Sequence, residues 1–185
     1  MTVTGVVTGG ARLLAPSVPW VLHDVPAPRF DEAEYAVERD AWAERLGDRR
    51  PAAVLVAYDG TKAAQARMES KASGLLGAVA LVSAGIVALL TSAGGGFRVA
   101  AVVALAYAVS AAYGCCAVLL PRMSLGLAPD ETLSDTDGHA EMLACARLNE
   151  PFLEHAAFAL RAAVRDLAYA AAITTVAVLA SSAVG

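Results

Sequence analysis

The side chains able to do chemistry are few, and their spacing gathers them in one place only. Asp130, Glu131, Asp135, Asp137, His139 and Glu141 set five carboxylates around one histidine. A metal site could be imagined there, but the spacing matches no known ligand pattern. A solvated acidic loop leading into a helix start accounts for these residues better. His155 has no Ser or Cys placed to serve as its nucleophile, so it reads as a packed residue. Cys115 and Cys116 are adjacent and Cys145 stands alone, which is neither a disulfide framework nor a zinc motif. They read as small apolar residues. There is no phosphate-binding loop, dinucleotide fingerprint or zincin helix. The expectation is a protein that is not an enzyme and carries no cofactor and no metal.

The elements around these residues are of an unusual kind. Of 185 residues, 57% are apolar and 17% charged, and mean hydropathy is +0.55. Soluble domains average roughly 45–50% apolar and 25% charged. Disorder throughout is excluded, because such chains are poor in apolar residues. A net charge of −4 argues against nucleic acid as a partner. Charged residues are absent from 72–97, 99–121 and 167–185, runs of 26, 23 and 19 residues. As helices these would reach about 39, 34 and 28 Å, against a hydrocarbon core of about 30 Å. Three such runs in one small chain are hard to bury in water. The expected fold is an all-α membrane protein: three transmembrane helices with cytosolic helical extensions.

Orientation follows from the basic residues. Lys62, Arg67 and Lys71 precede the first span, and Arg98 alone lies between the first and second. Arg122, Arg147, Arg161 and Arg165 lie between the second and third. The excess places the N-terminus and the second connection in the cytosol, with the C-terminus outside. Arg67, Lys71, Arg98, Arg122 and Arg165 are the expected membrane-interface residues, their stems in apolar surroundings and their charges among lipid headgroups. Twelve of the fourteen basic residues are Arg. That bias suggests a GC-rich bacterial genome, and hence a multi-pass protein of the bacterial plasma (inner) membrane.

The chain divides as 1–30, 31–71, 72–121, 122–166 and 167–185. The first segment holds Pro16, Pro19, Pro26 and Pro28, a density that blocks helix and central strand alike. An extended or disordered arm is expected, with Trp20, Val21 and Leu22 as a small apolar cluster. Asp31 to Gly47 reads as a helix capped by Asp31 and stopped at Gly47. Pro51 can open a second helix that runs into the first span, with Gly60 a place for a break. Thr91 to Arg98, with three glycines, reads as the turn of a two-span hairpin over 72–121. Residues 122–166 read as a loop and helix, capped by Ser134 or Asp137 and broken or restarted at Asn149-Glu150-Pro151. The third span follows.

Small residues dominate the spans. Ala100, Ala104, Ala108 and Ala112 lie four apart, as do Ala106, Ser110 and Gly114, and Ser73 and Gly77 form a similar pair. Such faces let helices approach closely in lipid. Gly77, Ala104, Ala108 and Ala112 are therefore candidate packing residues, within one chain or between copies of a homo-oligomer. No Asp, Glu, Lys, Arg or His lies in any of the three runs. Ion-coupled transport by a single chain is disfavoured on that ground, while a pore made by several chains is not.

At the entrance to the first span stands Arg67-Met68-Glu69-Ser70-Lys71-Ala72-Ser73, with Leu75 and Leu76 beyond. A charged helix passing through Glu69-Ser70-Lys71-Ala72-Ser73 into a span resembles small bacterial membrane effectors of nucleotide-signalled anti-phage defence. Pycsar-type transmembrane effectors and SLATT-domain proteins are the two groups with this layout. The resemblance implies a protein that oligomerises and compromises the inner membrane when a signal arrives. It implies as partners the lipid bilayer, further copies of the chain, and a cyclic nucleotide or a soluble defence protein. The alternative is a membrane anchor or scaffold that recruits a soluble cytosolic partner. A housekeeping pore or transporter ranks below both.

Overall fold

The computed structural model describes residues 15–24, 28–29, 31–46, 51–92, 94–119 and 136–184. These are 95% helical and contain no strand. The helices are α1 (Val18–Asp24), α2 (Glu32–Leu46), α3 (Pro51–Ser92), α4 (Gly95–Leu119) and α5 (Thr136–Val184). Three of them, α3, α4 and α5, are long and apolar enough to cross a membrane. The chain is an all-α membrane protein by that measure.

Local chemistry explains most boundaries. Asp31 caps α2: its Oδ1 accepts from the Ala33 amide at 2.9 Å, and its carbonyl oxygen accepts from the Tyr35 amide at 3.0 Å. Glu32 and Glu34 occupy the first turn and Arg45 the last, which suits the helix dipole at both ends. Pro51 opens α3, where a missing N–H costs nothing. The expected turn at Thr91 to Arg98 is shorter than the sequence suggests, because both helices extend into it. The Gly94 carbonyl oxygen accepts from the Phe97 and Arg98 amides at 3.1 and 3.2 Å, which starts α4 at once.

Three expectations are corrected. Gly60 does not break α3. Pro151 neither ends nor restarts the helix at Asn149-Glu150-Pro151, and α5 continues through it for 49 residues. A proline removes one intrahelical bond, to the carbonyl four residues earlier. Here that is Arg147, and Arg147 and Pro151 are both exposed, so the freed carbonyl is not sealed in a core. The third correction concerns the arm. Residues 18–24 are helical although Pro19 lies among them. Pro19 stands in the first turn, where its absent N–H has no partner to miss.

The chain forms two compact units. Unit 1 draws on the arm, on α3 from Ser70, on α4, and on α5 from Ala157. Its core residues recur at alternating spacings of three and four. On α4 they are Ala101, Ala104, Ala108, Ala111 and Cys115. On α3 they are Ala72, Val79, Ile86 and Leu89, with Leu75 and Val82 half-buried. This is the heptad pattern of helices packed side by side. Unit 2 draws on α2, on α3 up to Glu69, and on α5 up to Ala156. Its core is Val54, Tyr58, Met142 and Cys145, with Tyr35 and Leu143 packed against them.

Candidate functional site

Among the described residues of unit 1, one carboxylate is fully buried. Asp166 is 0% exposed, and it lies on α5 one residue before the charge-free run that defines the third span. Four donors converge on it. The Ser17 amide reaches Oδ1 at 2.9 Å and Oδ2 at 2.8 Å. The Ser17 hydroxyl donates to Oδ1 at 2.5 Å, with the Ala162 carbonyl oxygen 3.2 Å away. The Val18 amide donates to Oδ2 at 3.2 Å, and the Ser110 hydroxyl to Oδ2 at 2.6 Å.

These contacts join three elements. Ser17 is the N-cap of α1, since its carbonyl oxygen accepts from the Val21 amide at 2.9 Å. An N-cap serine usually turns its hydroxyl onto its own helix. Here a carboxylate from α5 takes the place of that cap and faces the positive end of the α1 dipole. Ser110 belongs to α4, with about 14 Å of helix between it and Leu119. The carboxylate therefore meets the second span well inside its length. Asp166 lies just outside the charge-free runs, yet its carboxylate reaches a residue within the second of them.

Packing holds the same three elements together. Val18 is 0% exposed. A Cβ on Gly114 would stand 2.9 Å from Val18 Cγ2, 3.1 Å from Ala163 Cβ and 3.2 Å from the Ala159 carbonyl oxygen. Only a residue without a side chain lets α1 and α5 approach α4 so closely. A second close approach in unit 1 joins α3 to α5, where a Cβ on Gly85 would lie 3.3 Å from Thr174 Cγ2. Beside Asp166, Arg165 keeps 40% of its side chain exposed, and its Nε is 3.9 Å from Oδ1. Its guanidinium lies 5.9 Å over the Tyr169 ring, which in turn stands 5.5 Å from Tyr107. The arginine thus lies over the Tyr169 ring while its Nε stays at the edge of the carboxylate.

The other expected residues are placed as follows. Arg67 and Lys71 are exposed one turn apart on α3, and Arg98 is exposed near the start of α4. Arg122 lies outside the described residues. Ala104 and Ala108 are buried within the chain and Ala112 is half-buried, so this face packs inside the single molecule. Gly77 is exposed, and a Cβ there would meet nothing within 4 Å. Of the acidic cluster, Asp130, Glu131 and Asp135, and the Asp137 side chain, lie outside the described residues, as does Ser134. His139 and Glu141 are half-buried on α5. No group of three or more candidate metal ligands occurs among the described residues. His155 is buried. Cys145 sits in the core of unit 2, and burial, aided by the Glu141 charge, pushes its thiol up to about 11. Burial also raises the Tyr35 hydroxyl, with Cys145 and Glu141 adding to the effect.

No family model matches this chain, and no curated protein or solved structure matches it. The site rests on its own geometry. Sequence reasoning missed it, although three signals were present. Ser17 precedes Val18-Pro19, a plausible cap ahead of a first-turn proline. Ser110 and Gly114 share a helix face. Asp166 abuts an apolar run. Nothing in the order of residues links these three places.

Proposed function

We propose that this chain is a non-enzymatic, membrane-acting effector of a bacterial nucleotide-signalled defence system, held in the inner membrane with its N-terminus in the cytosol. On this reading unit 2 is the cytosolic receiver, and unit 1 is the part that acts on the bilayer. The observation that carries the reading is continuity. Helices α3 and α5, at 42 and 49 residues, each give one stretch to unit 2 and one candidate span to unit 1. Each of these helices carries the chain without a break from what senses into what responds. A passive anchor needs one span and a flexible tether, and no such pair of through-going helices. The Lys71-Ala72-Ser73 entrance to the first span and the basic residues about it fit the same layout.

The test is induced expression of the full chain in bacterial cells, with and without candidate cyclic nucleotides. Growth, uptake of a membrane-impermeant dye and crosslinked oligomers are followed together. Growth arrest with dye uptake and oligomer formation is expected on triggering. Cells that keep growing and excluding dye under every trigger, with the protein in the membrane, would replace the effector by the anchor that recruits a soluble partner.

A further inference from the structure

We propose that residues 15–24 are a tethered plug, and that Asp166, Ser110 and the gap beside Gly114 form the seat that it seals. The inference gives the effector reading a resting state and rests on that reading for its use in the cell. Three observations converge on it. First, three of the four donors to the Asp166 carboxylate come from the arm: the Ser17 amide, the Ser17 hydroxyl and the Val18 amide. Among the described residues, only the Ser110 hydroxyl comes from the spans. Second, Val18 fills the space that Gly114 leaves open between α4 and α5. Third, the arm is the one partner in this contact that is not itself a span. The segment that docks is seven residues of helix, and it lies in sequence about 150 residues from its seat.

Withdrawal of the arm changes the seat in two ways at once. Among the described residues the carboxylate then keeps the Ser110 hydroxyl and, at 3.9 Å, the Arg165 guanidinium; with three of its four donors gone, it draws in water or a cation against apolar helices. The volume of Val18 is vacated next to a residue with no side chain to refill it. A polar group and a space then coincide between the second and third spans. The open form is a path for water and monovalent cations, and the docked form is closed. Asp166 is thus held in a cradle of hydrogen-bond donors until the arm leaves.

The experiment uses the full chain in potassium-loaded vesicles of phosphatidylethanolamine and phosphatidylglycerol. Two variants free the arm without altering the spans: Ser17→Pro, which removes both the amide and the hydroxyl, and deletion of residues 1–26. Hydrogen exchange over 15–24 reports docking, and potassium efflux reports sealing. In the native chain the segment is protected and the vesicles stay tight. Loss of two bonds to a charged group speeds exchange in Ser17→Pro by about a hundredfold. Efflux rises with it in both variants, and Asp166→Leu in the shortened chain restores the seal by filling the seat with apolar atoms. Exchange in the native chain as fast as in a free peptide overturns the proposal, because the arm is then not seated. Freed arms with tight vesicles also overturn it, because the seat then seals nothing. Failure of the effector reading looks different: efflux obeys the arm in vesicles, yet no trigger harms cells.

Discussion

The two units bury different kinds of side chain, and the contrast shows two ways of holding helices together. Unit 2 is built on bulk: Tyr35, Val54, Tyr58, Met142, Leu143 and Cys145 fill its core. Burial of such side chains removes apolar area from water, which is the usual source of stability. Unit 1 sets a face of small residues on α4 beside a row of large ones on α3, Val79, Ile86 and Leu89. Its buried α4 face is alanine, serine, glycine and cysteine with Tyr107, and α5 brings Ala159 and Ala163 against Gly114 there. In lipid there is no gain from hiding a leucine from neighbouring apolar chains, so close backbone approach and satisfied polar groups must do the holding. Asp166 and its four donors supply the polar part. The lesson extends to exposed residues. Leu81 is 78% exposed in unit 1 and Val56 is 73% exposed in unit 2, and exposure means a different solvent in each.

The largest expected effect breaks that last equivalence. Leu81→Lys places a charge near the middle of the first span and should cost about 3 kcal/mol of insertion free energy. Val56→Lys should change stability by less than about 0.5 kcal/mol, as surface substitutions do. Fractionation of membranes after alkaline extraction reads the difference. If both variants insert equally, the assignment of the first span is wrong.

Next comes the polar link. Asp166→Ala removes the acceptor shared by three backbone and side-chain donors of the arm and one of α4, and should destabilise unit 1 by about 2–3 kcal/mol. Thermal unfolding in detergent, followed by circular dichroism, measures it. An unchanged midpoint would mean that packing alone holds the arm and the spans.

The smallest effects separate two glycines. Gly114→Val meets Val18, the Ala163 methyl and the rigid Ala159 carbonyl, and overpacking should cost about 1–2 kcal/mol. Gly77→Ala meets open space and should gain up to about 1 kcal/mol from helix propensity. The same unfolding experiment ranks them. Equal behaviour of the two would remove Gly114 as the point of close approach. Ala108→Leu belongs with Gly114, since Ala108 is buried within the molecule and its loss acts first on the bundle itself.

Much of this was legible from residue order alone. Length and absence of charge set the three candidate spans, because a bilayer asks for about 20 apolar residues in a helix whatever the neighbours are. Asp31, Pro51 and the Gly94 turn set helix ends, because capping is decided within a few residues. The paths of α5 through Pro151 and of α1 through Pro19 were not legible, because the cost of Pro151 depends on whether the freed Arg147 carbonyl is buried and that of Pro19 on where the helix starts. Periodicity pointed to small-residue faces but not to their partners, and only the tertiary structure showed Ala104 and Ala108 turned inward and Gly77 left open. The seat of the arm was the least legible of all. A carboxylate at the edge of a span reads as an interface charge until Ser17, from the far end of the chain, is found capped by it. Local sequence fixes what each segment can be. Long-range hydrogen bonding and the space beside one glycine decided which segments meet.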